Sequence, residues 1–386
     1  MLRYLTAGES HGRGLLGIIE GLPAGLHITA DWVNGDLERR QGGYGRGGRM
    51  AIEQDQVEFV SGVRHGRTIG SPVGMLIWNR DWPNWEEEMS PAPGVPIARV
   101  TTPRPGHADL AGTLKYLAPD MRDVLERASA RATAMRVAVG SVARRFLDEL
   151  GITVLGHVRA IGAVAAKTSF PPDRTAVMNS PVYCQDEAAS KRMVAAIETA
   201  AAQGDTLGGV IEVCCWDVPV GLGSHVQWDR RLDGLLGQAL LSVPGIKAVE
   251  VGDGWDAATK PGSQVHDHIH VSDRGLTRPT NHAGGIEGGI SNGMPLVVRA
   301  AMKPIPTLRE GLPSVDLDSG RPTSAPWHRS DVCAVPAASV VCEAVVAFVV
   351  AGQFLARFGG DSMAAVQASF KAQQALLAER FPRVYD

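Results

Sequence analysis

The sequence predicts a fold that mixes helices with β-sheet, because strand-length and helix-length apolar patterns follow one another along the whole chain. Short apolar runs at residues 2–7, 15–20, Val73–Trp78, 152–158, 209–218, 247–251 and Leu296–Met302 have the length and composition of strands. Apolar residues recur at helical spacing from 120 to 150, through Leu125, Ala128, Met135, Val139, Val142 and Phe146, and again at 186–203 and 229–243. A long run of small apolar residues at 334–355 approaches the length of a membrane span. Glu343 and Gln353 interrupt it and Pro336 suits a first helical turn, so a buried central helix is expected instead.

In chain order, the first two strands are expected to pair through the turn Gly8–Gly14. Residues 57–63 and Val73–Trp78 are strands separated by Arg64-His65-Gly66-Arg67. Residues 78–100 turn polar and proline-rich, with Trp82, Trp85 and three glutamates, and are expected to make a surface excursion. Arg104-Pro105-Gly106-His107-Ala108-Asp109 is too constrained to be helical, so His107 is presented from a loop beside Arg104. Asp120 is placed to cap one helix that Gly151 stops, and Arg127 and Arg131 would then share a face, with Ser129 at its edge. Pro244 stops the 229–243 helix, and an amphipathic helix is expected over 362–380.

With 386 residues the chain can hold one large domain or a few ordinary ones. Its formal net charge of −3 leaves wholesale nucleic-acid or membrane-surface binding to some local basic patch. Five cysteines form an odd set without a C-x-x-C pair, and no charged-then-apolar leader opens the chain, which predicts a reduced, cytoplasmic setting. Many of the 45 glycines are clustered, as in loops that let a ligand come close.

Three stretches carry candidate chemistry. Gly8-Glu9-Ser10-His11-Gly12 matches the nucleophile-elbow pattern G-x-S-x-G, but too little chain precedes it to build the sheet and oxyanion loop that the elbow needs. Ser10 is then a hydrogen-bonding group and His11 the reactive member. Residues 36–50, rich in Arg and Gly, can close peptide N–H groups and guanidinium forks on an anion. The alternatives are a solvated loop or an Arg/Gly nucleic-acid-binding segment. His266-Asp267-His268-Ile269-His270 has the alternation of a metal-binding strand but lacks a second motif, so a solvent-facing strand or loop is favoured and no metal is assigned. Two histidines on glycine-bearing turns, with Arg40, Arg46, Arg104, Arg131 and Arg329 from separate segments, point to an enzyme for a small polyanion. The glycine cluster 284–293 and the run Lys303, Pro304, Ile305, Pro306, Thr307 would suit a phosphate-bearing cofactor. No Walker A or dinucleotide fingerprint is present.

Residues 7–12, 39–50, 104–109, 126–139, 284–293, 302–307 and 329–331, in that order, resemble the chorismate synthase family of the shikimate pathway. The resemblance implies an α+β fold over residues 1–386, a single large domain with helices sandwiched between antiparallel sheets, 361–386 forming a C-terminal helical tail. It implies a carbon–oxygen lyase that carries out anti-1,4-elimination of phosphate from 5-enolpyruvylshikimate 3-phosphate, with reduced FMN required. His11 is implied as proton donor to the departing phosphate, His107 as a partner near flavin N1, and Asp331 as a carboxylate acting with flavin N5 on the ring C6 proton, oriented by Ser10. Arg40, Arg46, Arg49, Arg104 and Arg131 are implied around the substrate. Around FMN the implied set is Arg40, Arg46, Arg127, Ala128, Ser129, Pro244, Gly245, Gly288, Arg329 and the five residues Lys303 to Thr307. The Trp82–Trp85 loop and the histidine stretch depart from the family's pattern and are expected to leave these roles untouched. A homotetramer is implied, with NADPH or an external flavin reductase as the source of reduced flavin, and neither nucleic acid nor membrane as partner.

Overall fold

The computed structural model describes residues 1–47, 53–272, 275–326 and 331–381. Two antiparallel sheets enclose helices. The first sheet joins β1 (Arg3–Ala7), β2 (Gly14–Glu20), β3 (Glu58–Ser61) and β4 (Val73–Trp78) in the order β1-β2-β4-β3. The second joins β5 (Thr153–Ile161), β6 (Val164–Ala165), β7 (Gly209–Trp216), β8 (Ile246–Val251) and β9 (Leu296–Met302) in the order β8-β9-β7-β5-β6. The α+β class is as expected, and β1 pairs β2 through the Gly8–Gly14 turn.

Alternation decides the faces of the first sheet. Leu15, Ile19, Val73, Met75 and Ile77 are fully buried toward the helices, whereas Leu16, Ile18 and Trp78 are about half exposed on the other face. The helices packed on the sheets are α1 (Ala30–Gln41), α4 (Thr133–Asp148), α6 (Leu232–Leu241) and α7 (Val335–Phe358), while α2 (Asp109–Tyr116), α3 (Arg122–Ala128) and α5 (Glu187–Ala202) lie at the periphery. Helix α7 is the expected central helix. It is long and apolar enough to cross a membrane, yet it is packed inside the protein.

Glycine sets the layer spacing at three places. A Cβ on Gly17 of β2 would lie 2.4 Å from Met135 Sδ of α4. One on Gly140 of α4 would lie 2.4 Å from the Ala344 carbonyl oxygen of α7, and one on Gly156 of β5 would lie 2.4 Å from the Ser339 carbonyl oxygen. Beside these contacts sits a buried ionic junction. Glu343 of α7 accepts from both Nη atoms of Arg39 at 2.8 Å and from the Gly156 amide at 2.8 Å. Asp36 of α1 accepts from Arg39 and from Arg144 of α4. Burial would raise the Glu343 carboxyl, but the charge and hydrogen bonds of Arg39, the charge of Arg144 and the Gly156 amide together outweigh it and hold the group well below the usual carboxylate range.

Several expectations are corrected. The 120–150 segment is not one helix. Ser129 is extended, its Oγ accepts from the Arg131 amide at 3.2 Å, and a short 3₁₀ turn (Ala130–Ala132) separates α3 from α4. Arg127 and Arg131 therefore do not share a face: Arg127 is exposed and Arg131 is buried. Asp120 still ties the helix start, accepting from the Arg122 amide at 2.9 Å. The expected 229–243 helix begins as a 3₁₀ turn (Trp228–Arg230) ahead of α6. The last helix, α8 (Met363–Arg380), buries only Met363 and Val366, so it is not amphipathic along its length. The histidine stretch, by contrast, is solvent-facing as expected, a loop that enters a strand only at His270, with Asp267 accepting from Thr280 and the amides of His282 and Ala283.

Gly140→Ala should lower stability by about 1–3 kcal/mol, since the added methyl would run into both the backbone and the Cβ of Ala344, neither of which is the end of a flexible side chain. Gly237→Ala in α6, where a Cβ meets nothing within 4 Å, should raise it by about 0.5–1 kcal/mol. Calorimetric melting of the two variants beside the parent checks both signs.

Candidate active site

The turn between β1 and β2 is held from two directions. Glu126 of α3, almost wholly buried, accepts from the His11 amide at 2.7 Å and lies 2.8 Å from His11 Nδ1, while its carbonyl oxygen accepts from the Ser10 amide at 3.0 Å. Asn79, just beyond β4, donates to the carbonyl oxygens of Gly12 and Glu9 and accepts from Arg131 Nε at 2.9 Å. Ser129 donates to Ser10 Oγ at 3.1 Å, so Ser10 and Ser129 meet at the helix break. Ala128 precedes that break, and Arg127 is committed to backbone, donating to the carbonyl oxygens of Gly8 and Thr6.

Behind the turn lies a buried charge cluster. Asp55 accepts from Arg131 at 2.5 Å and from Arg40 at 3.3 Å. Arg40 also donates to Thr133 Oγ1 and to the Ala130 carbonyl oxygen, at the start of α4. Burial is the main cause that brings the Arg40 guanidinium down to about 10; Asp55 opposes it, and the charges of Arg46 and Arg131 add to it. It stays protonated at neutral pH. Arg131 Nη2 is buried, 3.8 Å from Glu53, and makes no hydrogen bond among the described residues. Arg46 reaches Asp331 at 2.5 Å, although the two stand 285 positions apart, and Asp331 also accepts from the Gly47 amide at 2.7 Å.

The second histidine has a similar frame. His107 Nδ1 lies 2.5 Å from Asp109 Oδ1 at the first residue of α2, and Arg104 Nε donates to the other oxygen at 2.7 Å. Burial would raise the Asp109 carboxyl; the bonds from His107 and Arg104 outweigh it and hold it far below the usual range. Arg104 and His107 line a cleft of about 580 Å³ with Leu110, Leu114 and Ser314. A neighbouring cleft of about 320 Å³ is lined by Pro105, Gly106, Thr206, Lys303, Pro304, Ile305 and Pro306. Lys303 donates to the Gly106 carbonyl oxygen, and burial lowers its ammonium. Thr206 donates to the Ile305 carbonyl oxygen, and Leu207 to that of Val332. The Lys303 run is thereby tied to Gly106, next to His107, and through Thr206 and Leu207 to Val332, next to Asp331.

Among the expected residues, His11, Ser10, Arg40, Arg46, Arg131, Ser129 and Asp331 come together, and Arg104, His107 and Lys303 to Pro306 form the adjoining wall. Thr307 follows in the same run, mostly buried. Gly245 joins through its carbonyl oxygen, which accepts from the Lys303 amide at 3.0 Å, with Pro244 exposed beside it. Gly288 stands apart: its hairpin (Ile286–Glu287 with Ile290–Ser291) bonds to Leu222, Leu232 and Pro219. Arg49 and Arg329 lie outside the described residues. His11, Arg46, Arg104, His107 and Asp331 keep between 13% and 19% of their side-chain surface accessible, whereas Arg40 and Arg131 sit behind them.

In the described part of the Arg/Gly segment the arginines are held by the protein's own acids. Arg39, Arg40 and Arg46 turn inward, each onto a carboxylate. The Trp82–Trp85 loop is not merely superficial: the Trp85 ring stacks on His11 with centroids 4.0 Å apart. Glu126, Asp109, Asp55, Asn79 and Trp85 were not singled out as site residues from the sequence. Only Asp109 and Glu126 lay inside stretches already marked. A gathering of His157, Glu212 and Cys214 has metal-ligand types, but Arg299 already occupies the Glu212 carboxylate at 2.7 Å and burial pushes the Cys214 thiol up.

The family model described as "Chorismate synthase" matches residues 2–355. Curated relatives named "Chorismate synthase" include one from Moorella thermoacetica, 58% identical over 98% of this chain and 100% of its own. Another, from Desulforudis audaxviator, is 58% identical over 94% of this chain and 95% of its own. A solved structure titled "Crystal Structure of Chorismate Synthase" superposes with a TM-score of 0.79 at 41% identity, covering 96% of this chain and 97% of the other.

Asp55→Asn should destabilise the protein by about 3–5 kcal/mol, since it leaves Arg40 and Arg131 buried without their shared counter-charge. Urea unfolding of the variant against the parent measures it.

Proposed function

The chain belongs to the chorismate synthase family, a family of lyases of aromatic biosynthesis, and from that premise we propose how its site performs the elimination. The reaction removes phosphate from 5-enolpyruvylshikimate 3-phosphate to give chorismate. The observation that supports the assignment of residues is that His11, Arg46, Arg104, His107 and Asp331 keep part of their side-chain surface accessible, while Arg40 and Arg131 are buried on Asp55.

A substrate with one phosphate and two carboxylates needs convergent cations, and arginine forks match both anion types. Arg46 and Arg104 are assigned to it, and Arg49 of the same Arg/Gly segment is assigned by sequence alone. Arg40 and Arg131 act from behind through their charge. His11 gives its proton to the departing phosphate. Asp331, held by Arg46 and the Gly47 amide, takes the ring C6 proton on a carboxylate oxygen, and Ser10 supports the turn.

The clefts fit reduced FMN: the proline-lined wall at Pro304, Ile305 and Pro306 offers a flat surface, Lys303 a cation, and His107 and Arg104 a second positive edge. Thr307 continues that run and Gly245 is bonded to Lys303, and Ala128, Ser129 and Arg329 are assigned to the flavin by sequence. Reduced FMN, when bound, supplies a transient source of electrons to a reaction without net redox change. Flavin held there would have to arrive reduced, with an external reductase or NADPH as the source of its electrons.

We also propose a homotetramer. The outer face of the first sheet exposes Leu5, Leu16, Ile18, Val60 and Trp78, an apolar surface suited to association. Its five cysteines are all unpaired and buried, which supports a cytoplasmic setting.

His11→Ala and His107→Ala should each lower turnover by about two to four orders of magnitude with excess reduced FMN. Near-native turnover in either variant would remove that histidine from the mechanism.

A further inference from the structure

The proton donated by His11 must come from a defined ring nitrogen, and the residues around the ring decide which one. Glu126 faces Nδ1 with both carboxylate oxygens, at 2.8 and 3.0 Å, and also holds the His11 amide at 2.7 Å. An ionised carboxylate only accepts, so Nδ1 must carry hydrogen in the neutral ring as well as in the imidazolium. The ring plane is set separately. Trp85 stacks on it with an interplanar angle of 29°, and Arg122 covers Trp85 with its guanidinium carbon 5.4 Å from the ring centroid. Trp85 cannot slide freely, since its Nε1 donates to Asp81 at 3.0 Å and Arg122 pairs with Glu88 at 2.9 Å.

We propose that Glu126 is the positioning residue of the His11 proton transfer, fixing Nδ1–H so that Nε2 is the donating atom, with Trp85 holding the ring plane. The proposal rests on the assignment of His11 as proton donor. In the step, Nε2–H passes to the phosphate oxygen that leaves with the electron pair of the broken C–O bond. The ring ends neutral and keeps Nδ1–H on Glu126. The carboxylate stays ionised throughout and stabilises the imidazolium before transfer. It is thus an orienting group of the kind that holds the imidazole of a catalytic triad.

The test uses the full chain with chemically reduced FMN under anaerobic conditions, in Glu126→Gln, His11→Ala and the double variant. Glu126→Gln keeps the side-chain shape and should lower kcat by about 10²-fold, part of what a general acid contributes, with KM within about twofold of the parent. In the His11→Ala background the same change should cost less than about threefold, because the group it positions is gone. Nitrogen-15 NMR of labelled histidine should show His11 protonated at Nδ1 in the parent and a mixture of tautomers in Glu126→Gln. Multiplying losses in the double variant, or native kcat in Glu126→Gln while His11→Ala is impaired, would overturn the proposal alone. Native turnover in His11→Ala would overturn the donor assignment beneath it and the proposal with it.

Discussion

One turn of the central helix, at Glu343 and Ala344, sets the distance between the layers and the place of the site. The Ala344 carbonyl oxygen lies where a side chain on Gly140 would have to go, so α4 and α7 meet backbone to backbone. The adjacent Glu343 carboxylate binds Arg39 of α1, draws in Arg144 of α4 and accepts from the Gly156 amide of β5. A buried charge of this kind is costly unless every partner is in place, so it ties α1, α4, α7 and the second sheet to one arrangement. Arg40 follows Arg39 on α1 and is thereby delivered to Asp55 and to the break between α3 and α4.

The site inherits that geometry. The Ser129 break ends α3 so that Glu126 can reach the Gly8–Gly12 turn, and starts α4 so that Arg131 can turn inward to Asn79 and Asp55. Two histidines, 11 and 107, each have Nδ1 against a buried carboxylate, Glu126 and Asp109. Each carboxylate comes from a helix rather than from the loop that bears most of the site, which gives mobile-looking glycine turns a rigid support. The cost is a fold that buries several charges and needs each one compensated.

Much of the sheet was legible because strand alternation and glycine turns are local signals: Val73–Trp78 and Leu296–Met302 coincide with strands residue for residue. The central helix was legible from Pro336 and its run of small apolar residues. The break at Ser129 was not, since apolar spacing continues across it and only the serine's hydroxyl, bonding back to the Arg131 amide, reveals the interruption. His11, His107, Arg46 and Asp331 stood out by residue type, but their partners did not. Asp55 and Asn79 lie in unremarkable stretches and acquire meaning only when tertiary packing brings Arg131 to them. Trp85 looked like surface decoration because its partner, His11, is remote in sequence.

The central claim is that this constellation serves a flavin-dependent elimination rather than simple anion binding. Anaerobic phosphate release from 5-enolpyruvylshikimate 3-phosphate measures it most directly, with chemically reduced FMN in one arm and oxidised FMN alone in the other. Stoichiometric release of phosphate with chorismate in the first arm, and none in the second, is the result this account predicts. No release with reduced FMN, or equal release in both arms, would contradict it.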